Sequence, residues 1–178
     1  AVGTDALMVL EVHNPAAFQN AFRCPTEQLH SAGLFVEHLA SRLGSVEVAV
    51  VSPDAGGVKR AALLRQRLEH ALGRPVTFGF VEKFRSAGVL SGDLMAGDVA
   101  GRHVLLFDDL IASGQTLLRA ANTCRAHGAV SVWSVAAHGL FMGDAPQILG
   151  SGLIERVFVT DSVLAPQIAG SPWRHGSM

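Results

Sequence analysis

The stretch Val104-Leu-Leu-Phe-Asp-Asp-Leu-Ile-Ala-Ser-Gly-Gln-Thr116 joins three signals within thirteen residues. An apolar run reads as a buried strand, two carboxylates (Asp108 and Asp109) stand at its end, and Ala112-Ser113-Gly114-Gln115-Thr116 then opens a helix. A short loop running into a helix N-terminus offers backbone N–H groups and two hydroxyls, which together suit a phosphate monoester. The adjacent acids suit ribose hydroxyls or a divalent cation. A lone Ser-Gly-x-Thr would read as an ordinary N-cap by Ser113, but two acids directly on the strand end favour a ligand.

Outward from this stretch, strand-like and helix-like segments alternate. Short apolar, β-branched runs occur at Ala6–Val12, Val46–Val51, Val76–Val81, His103–Phe107, Val130–Ala136 and Arg156–Thr160. Their nearly continuous apolar character predicts strands buried on both faces of a parallel sheet. Between them, Ala32, Phe35, Val36, Leu39 and Leu43 keep helical spacing, as do Ala61, Leu64, Leu68 and Leu72. Leu117, Ala121 and Cys124 form a third stripe, closed by Gly128 as a C-cap. The expectation is an α/β domain, an open, doubly wound and mainly parallel sheet flanked by helices. Ligands in such sheets sit beyond the carboxyl ends of the strands. Ser86–Gly101, with four glycines, reads as a flexible arm or hairpin, and Ala165–Met178 as a loose tail.

Two more loops after strands carry chemistry. In Ser52-Pro-Asp-Ala-Gly-Gly-Val-Lys-Arg60, the paired Gly56 and Gly57 let backbone approach a ligand closely. Lys59 and Arg60 stand in the first turn of the following helix, against its dipole, a conflict that an anion between them would relieve. In Glu82-Lys-Phe-Arg85, Lys83 and Arg85 alternate with Phe84; taken alone the segment reads better as a solvated edge strand, although a cation pair on an arm could clamp a transferring phosphoryl group. His13 and His138 each follow a strand; a lone histidine there is more often structural than a ligand.

Composition narrows the classes. The chain has 178 residues, 49% hydrophobic and 16% charged, with a net charge of −1. That fits one globular domain and excludes a disordered chain. A near-neutral balance argues against a nucleic-acid or anionic-membrane surface, and no apolar run reaches the roughly 20 residues of a membrane helix. The start does not read as a signal peptide and lacks Met, as in a processed or partial chain. Cys24 and Cys124 form neither a disulfide framework nor a zinc spacing. Of fourteen basic residues only Lys59 and Lys83 are lysines, and both fall in these loops.

The ordered set of segments is similar to the ribose-phosphate pyrophosphokinase family. Asp108–Thr116 resembles the phosphoribosyl pyrophosphate (PRPP) motif of type I phosphoribosyltransferases, and Ser52–Arg60 resembles the family's pyrophosphate loop. Glu11-Val-His13, Phe22–Leu29, Glu82–Arg85, Ala137-His-Gly139 and Val159-Thr-Asp161 match further landmarks in order, from about Val2 to Leu164. The resemblance implies a type I phosphoribosyltransferase-like fold. It implies transfer of the β,γ-pyrophosphoryl group of Mg-ATP to ribose 5-phosphate, giving PRPP and AMP. It assigns Ala112, Ser113, Gly114, Gln115 and Thr116 to the 5-phosphate, Asp108 and Asp109 to the ribose hydroxyls, and Gly56 and Gly57 to the pyrophosphate path. It assigns His13 and Asp54 to Mg-ATP, with Mg²⁺ as cofactor, and Lys83 and Arg85 to catalysis. A cytoplasmic homo-oligomer is implied as well.

Four positions depart from the family pattern. Glu11 stands for Asp, Ala112 for an acid, Gln115 for a small residue and Phe84 for an Arg. The family's chain is nearly twice as long, with two similar halves; this sequence begins where the second half does, and the closing strand and helix are not recognisable in Gln167–Met178. A transferase that consumes PRPP and a non-catalytic regulatory homologue are the two other readings.

Overall fold

The computed structural model describes residues 3–86 and 89–164, without the side chains of 83–86 and 89–92. The elements run β1 (Leu7–Leu10), α1 (Pro15–Ala21), β2 (Thr26–Leu29), α2 (Ala32–Leu43), β3 (Val48–Ser52), α3 (Val58–Leu72) and β4 (Thr77–Ser86). They continue as β5 (Val89–Ala96), β6 (His103–Ile111), α4 (Gln115–Ala126), β7 (Ser131–Gly139), α5 (Ala145–Leu149) and β8 (Arg156–Val159). The central sheet has the order β5-β4-β3-β6-β7-β8, parallel throughout except for the antiparallel β4–β5 pair. The doubly wound, mainly parallel α/β expectation therefore holds.

Alternation along the strands builds two cores. Val48, Val50, Leu105 and Phe107 pack against Phe35 and Leu39 of α2 and Leu64 and Leu68 of α3. Ala49, Val51, Val104 and Leu106 point the other way, onto Leu117, Ala121 and Cys124 of α4 and Leu149 of α5. All of these side chains are buried, which is why the strands read as continuous apolar runs.

Two details differ from the sequence reading, while the hairpin reading of Ser86–Gly101 holds. β1 is not in the central sheet; it pairs in parallel with β2 as a separate two-stranded sheet. Met8 on β1 is 68% exposed, so this strand is not covered on both faces. β2, Thr-Glu-Gln-Leu, carries no apolar run and gave no strand signal. The Ser86–Gly101 segment forms the β5 hairpin strand; its pairing with β4 is regular from Phe80↔Ala96 to Phe84↔Gly92 and shifts register beyond Phe84. The Ala165–Met178 tail lies outside the described residues.

The topology places the site. From β3 the chain winds through α3 to β4 on one side, and from β6 through α4 to β7 on the other. The direction of winding therefore reverses between β3 and β6, and the loops leaving these neighbouring strands diverge to form a crevice.

Candidate functional site

That crevice is lined by His13, Asp54 and the run Asp108–Leu117. Its floor is β6, which extends further than the apolar run alone predicts. Asp108 pairs with Ala136, and the ladder continues to Ile111↔Gly139, so both acids lie inside the strand instead of after it. The longer partner β7 supplies the hydrogen bonds that keep the backbone extended there.

The phosphate-loop candidates Ala112, Ser113, Gly114, Gln115 and Thr116 all line the crevice. Gly114, not Ser113, is the N-cap of α4, with φ of 79°, a left-handed conformation that a β-carbon disfavours. No side chain caps this helix and its first turn carries no acid. The orphaned N–H groups of a helix start need an acceptor, and the crevice is where one can enter. The simple Ser113 N-cap is thus not what the loop forms.

The 52–57 loop is closed from within. Ser52 Oγ donates to the Asp54 carbonyl at 2.6 Å, and the Gly57 N–H donates to Asp54 Oδ1 at 3.1 Å. A β-carbon on Gly57 would stand 2.6 Å from Ser52 Oγ, so a side chain there would push the Ser52 hydroxyl off its bond to the Asp54 carbonyl. Asp54 reaches the crevice, whereas Gly56 and Gly57 are not among its lining residues. Lys83 and Arg85 lie on β4, but their side chains are outside the described residues. The backbone alone places Lys83: pairing of β3 with β4 ends at Ser52↔Phe80, and Lys83 stands three residues further along β4. At roughly 3.3 Å per residue this is about 10 Å past the end of β3, on the side of the crevice.

His13 arrives from the end of β1 and its Nδ1 meets Asp109 Oδ2 at 2.7 Å. The segment is anchored by His138, whose Nε2 lies 2.9 Å from the Leu10 carbonyl and whose Nδ1 lies 2.7 Å from Ser162 Oγ. His138 is therefore structural, as a lone histidine after a strand usually is. Glu11, whose carbonyl lies 3.3 Å from His138 Nε2, has φ of 42°, unusual for a residue with a side chain. Its buried carboxylate accepts from Ser31 N–H at 2.8 Å and Ser31 Oγ at 3.0 Å.

Arg60 takes a role that the sequence reading did not anticipate. Its guanidinium is not turned to an anion beyond the protein; it stands 3.5 Å from Glu11, 3.6 Å from Asp108 and 3.5 Å from Asp109. One nearly buried cation thus joins a carboxylate just after β1 to two on β6. The signal was present, a cation against the helix dipole, but the anions that compensate it are the protein's own.

Charge in the crevice is unevenly settled. Burial, with the adjoining Asp109 and then Asp54, pushes the Asp108 carboxyl up to about 7. Burial also acts against Asp109, but its hydrogen bond with Asp108, the Arg60 guanidinium and His13 together hold it below the usual range. Arg60 is shared among three carboxylates and does not offset Asp108. Because Asp108 holds its proton in the folded state between about pH 4 and 7, where the unfolded chain has released it, stability falls as pH rises through that window. Asp108→Asn is therefore expected to gain on the parent protein in a thermal unfolding series between pH 4 and 7. A gap that does not change with pH would contradict this.

Among the described residues no three His, Cys, Asp or Glu side chains converge as a ready metal centre. Mg²⁺ is commonly held by one or two carboxylates together with substrate phosphates. The oxygen donors of Asp54 and Asp108, which both line the crevice, fit that mode. His13 has its Nδ1 engaged by Asp109, leaving Nε2.

Known proteins place this geometry. A family model described as phosphoribosyl synthetase-associated domain matches residues 93–169. A ribose-phosphate pyrophosphokinase of Mycoplasma pneumoniae is 34% identical over 90% of this chain and 48% of its own length. The crystal structure of phosphoribosylpyrophosphate synthetase from Mycobacterium smegmatis superposes with a TM-score of 0.77 at 28% identity, over 91% of this chain and 50% of that one. An orotate phosphoribosyltransferase of Mycobacterium tuberculosis H37Rv, solved with PRPP, shares the fold at a TM-score of 0.52 and 23% identity, over 72% of this chain and 71% of that one. The chain spans about half the length of the curated relatives it matches. Along nine tenths of its length and in its fold, the chain is similar to the ribose-phosphate pyrophosphokinase, or phosphoribosyl pyrophosphate synthetase, family.

Proposed function

We propose that this chain is the catalytic C-terminal half of a ribose-phosphate pyrophosphokinase that acts as a cytoplasmic homo-oligomer. The reaction moves the β,γ-pyrophosphoryl group of Mg-ATP onto O1 of ribose 5-phosphate. O1 bonds to the β-phosphorus, the bond from that phosphorus to the α-phosphate oxygen breaks, AMP leaves, and the anomeric proton is released. The observation that carries the reading is the uncapped start of α4 directly beside Asp108 and Asp109, in a crevice shared with His13 and Asp54.

Each residue has a chemical task in this reading. The backbone N–H groups and hydroxyls of the 112–116 loop hold the 5-phosphate. Asp108 and Asp109 accept hydrogen bonds from the ribose hydroxyls and so orient O1. Asp54 and His13 face the nucleotide's metal-bound phosphates, where Mg²⁺ supplies charge neutralisation when bound. Gly56 and Gly57 lie along the pyrophosphate path, and Lys83 and Arg85 stabilise charge that builds on the transferred group. Such transfers depend mainly on positioning and charge.

Calorimetry on the full-length protein tests the binding half of this scheme. Ribose 5-phosphate is expected to bind, and Gly114→Ala to weaken it by about tenfold, since a β-carbon strains the left-handed loop residue. Equal affinity in the two proteins would remove the 112–116 loop from the phosphate site.

A further inference from the structure

Arg119, on the second turn of α4, touches two elements outside its own helix. Its Nε stands 3.3 Å from Asp93 Oδ1 on β5, and its Nη2 donates to the Pro53 carbonyl at 3.5 Å. Both places matter for the site. Asp93 is the cross-strand partner of Lys83 in the β4–β5 ladder, one pair before the last regular one. Pro53 immediately precedes Asp54, which lines the crevice. One side chain on the helix that begins at the phosphate loop therefore meets both the arm hairpin and the 52–57 loop.

A surface ion pair between long side chains normally contributes little. This one is partly withdrawn from water, with the Arg119 and Asp93 side chains only 28% and 18% exposed. Arg119 Nε is buried and, among the described residues, has no hydrogen-bond partner. The Asp93 carboxylate is therefore its compensating charge. The pair also sits just before the ladder shifts register beyond Phe84, the point where the hairpin base stops being held by regular pairing.

We propose that Arg119 is a positioning residue, which through Asp93 and Pro53 sets the β4–β5 arm and the 52–57 loop at a fixed distance from the phosphate loop. The consequence for turnover rests on the pyrophosphoryl-transfer reading, which gives Lys83 and Asp54 their tasks; the latch itself does not.

The test uses the full-length protein with Arg119→Met, Asp93→Asn, the double variant, and the charge-exchanged pair Asp93→Arg with Arg119→Asp. Amide hydrogen exchange is followed in peptides covering 77–96. Each single variant is expected to speed exchange there by about fivefold or more, with no further gain in the double variant and recovery to within about twofold in the exchanged pair. In the single and double variants kcat should fall about tenfold with the KM for ribose 5-phosphate changed by less than about twofold. Unchanged exchange, additive single effects, faster exchange spread over the whole chain, or altered exchange with unaltered kcat would each overturn the proposal. If the parent protein shows no ribose 5-phosphate-dependent AMP release, the functional reading fails, while the exchange data still decide whether the latch exists.

Discussion

Replacing Lys83 with alanine is expected to lower ribose 5-phosphate-dependent turnover of the full-length protein by about 30- to 1000-fold, the loss of about 2–4 kcal/mol of transition-state stabilisation. The expectation follows from position and charge. Lys83 lies on β4 beyond the point where β3 ends, on the side where Asp54 and the 112–116 loop open into the crevice. Thermal unfolding should therefore move by less than about 1 kcal/mol, the usual range for a change away from the core. Stability lost in proportion to activity would make Lys83 a structural residue. Arginine at this position should restore part of the rate, since it keeps the charge while changing the geometry of its donors.

The second large effect is on stability. Arg60→Met is expected to destabilise the fold by about 3 kcal/mol, because it keeps an apolar stem but leaves buried carboxylates without their shared cation. The three distances of 3.5–3.6 Å put the loss toward the lower end for a broken buried pair. The consequence for pH is specific. Without Arg60, Asp109 loses one of the groups holding its carboxyl below the usual range, so protonation at low pH should recover part of the stability. Arg60→Lys should rescue incompletely, since a single ammonium cannot face Glu11, Asp108 and Asp109 together. Urea unfolding at pH 5 and pH 8 checks both statements. A loss below about 1 kcal/mol at pH 8 would mean that the carboxylates are served by solvent instead.

These two residues also mark what can be read in a sequence of this kind. The loops after β3 and β6 were legible because a buried parallel strand is a continuous apolar run, so its end is conspicuous and the polar residues just past it stand out. Asp54, Asp108 and the 112–116 loop all come to one crevice for that reason. Less legible was anything that depends on contacts between distant segments. The guanidinium of Arg60 is aimed by the packing of α3 against the sheet, and no local pattern reveals that Glu11, 49 positions earlier, meets it. β1 looks like a central strand by composition, yet its exposed Met8 belongs to a small separate sheet. β2 has no hydrophobic pattern because one short parallel neighbour and a few half-buried side chains suffice to hold it. His138, read as structural because a lone histidine after a strand usually is, spends both ring nitrogens on Ser162 and the β1 backbone.

The same contrast separates the two halves of the site. The 112–116 side is carried by backbone geometry, an uncapped helix start and a left-handed glycine, which a short motif specifies almost completely. The acidic side is carried by a charge balance among Glu11, Asp108, Asp109, Arg60 and His13, assembled from α3, β6 and the segment just after β1. Gln115 lines the crevice with the other residues of the 112–116 loop.

The most direct measurement is AMP release from Mg-ATP by the full-length protein, with and without ribose 5-phosphate. Pyrophosphoryl transfer predicts one AMP and one PRPP for each ribose 5-phosphate consumed, and no AMP when the sugar phosphate is omitted. PRPP bound tightly but never formed, or AMP released at the same rate without ribose 5-phosphate, would contradict it.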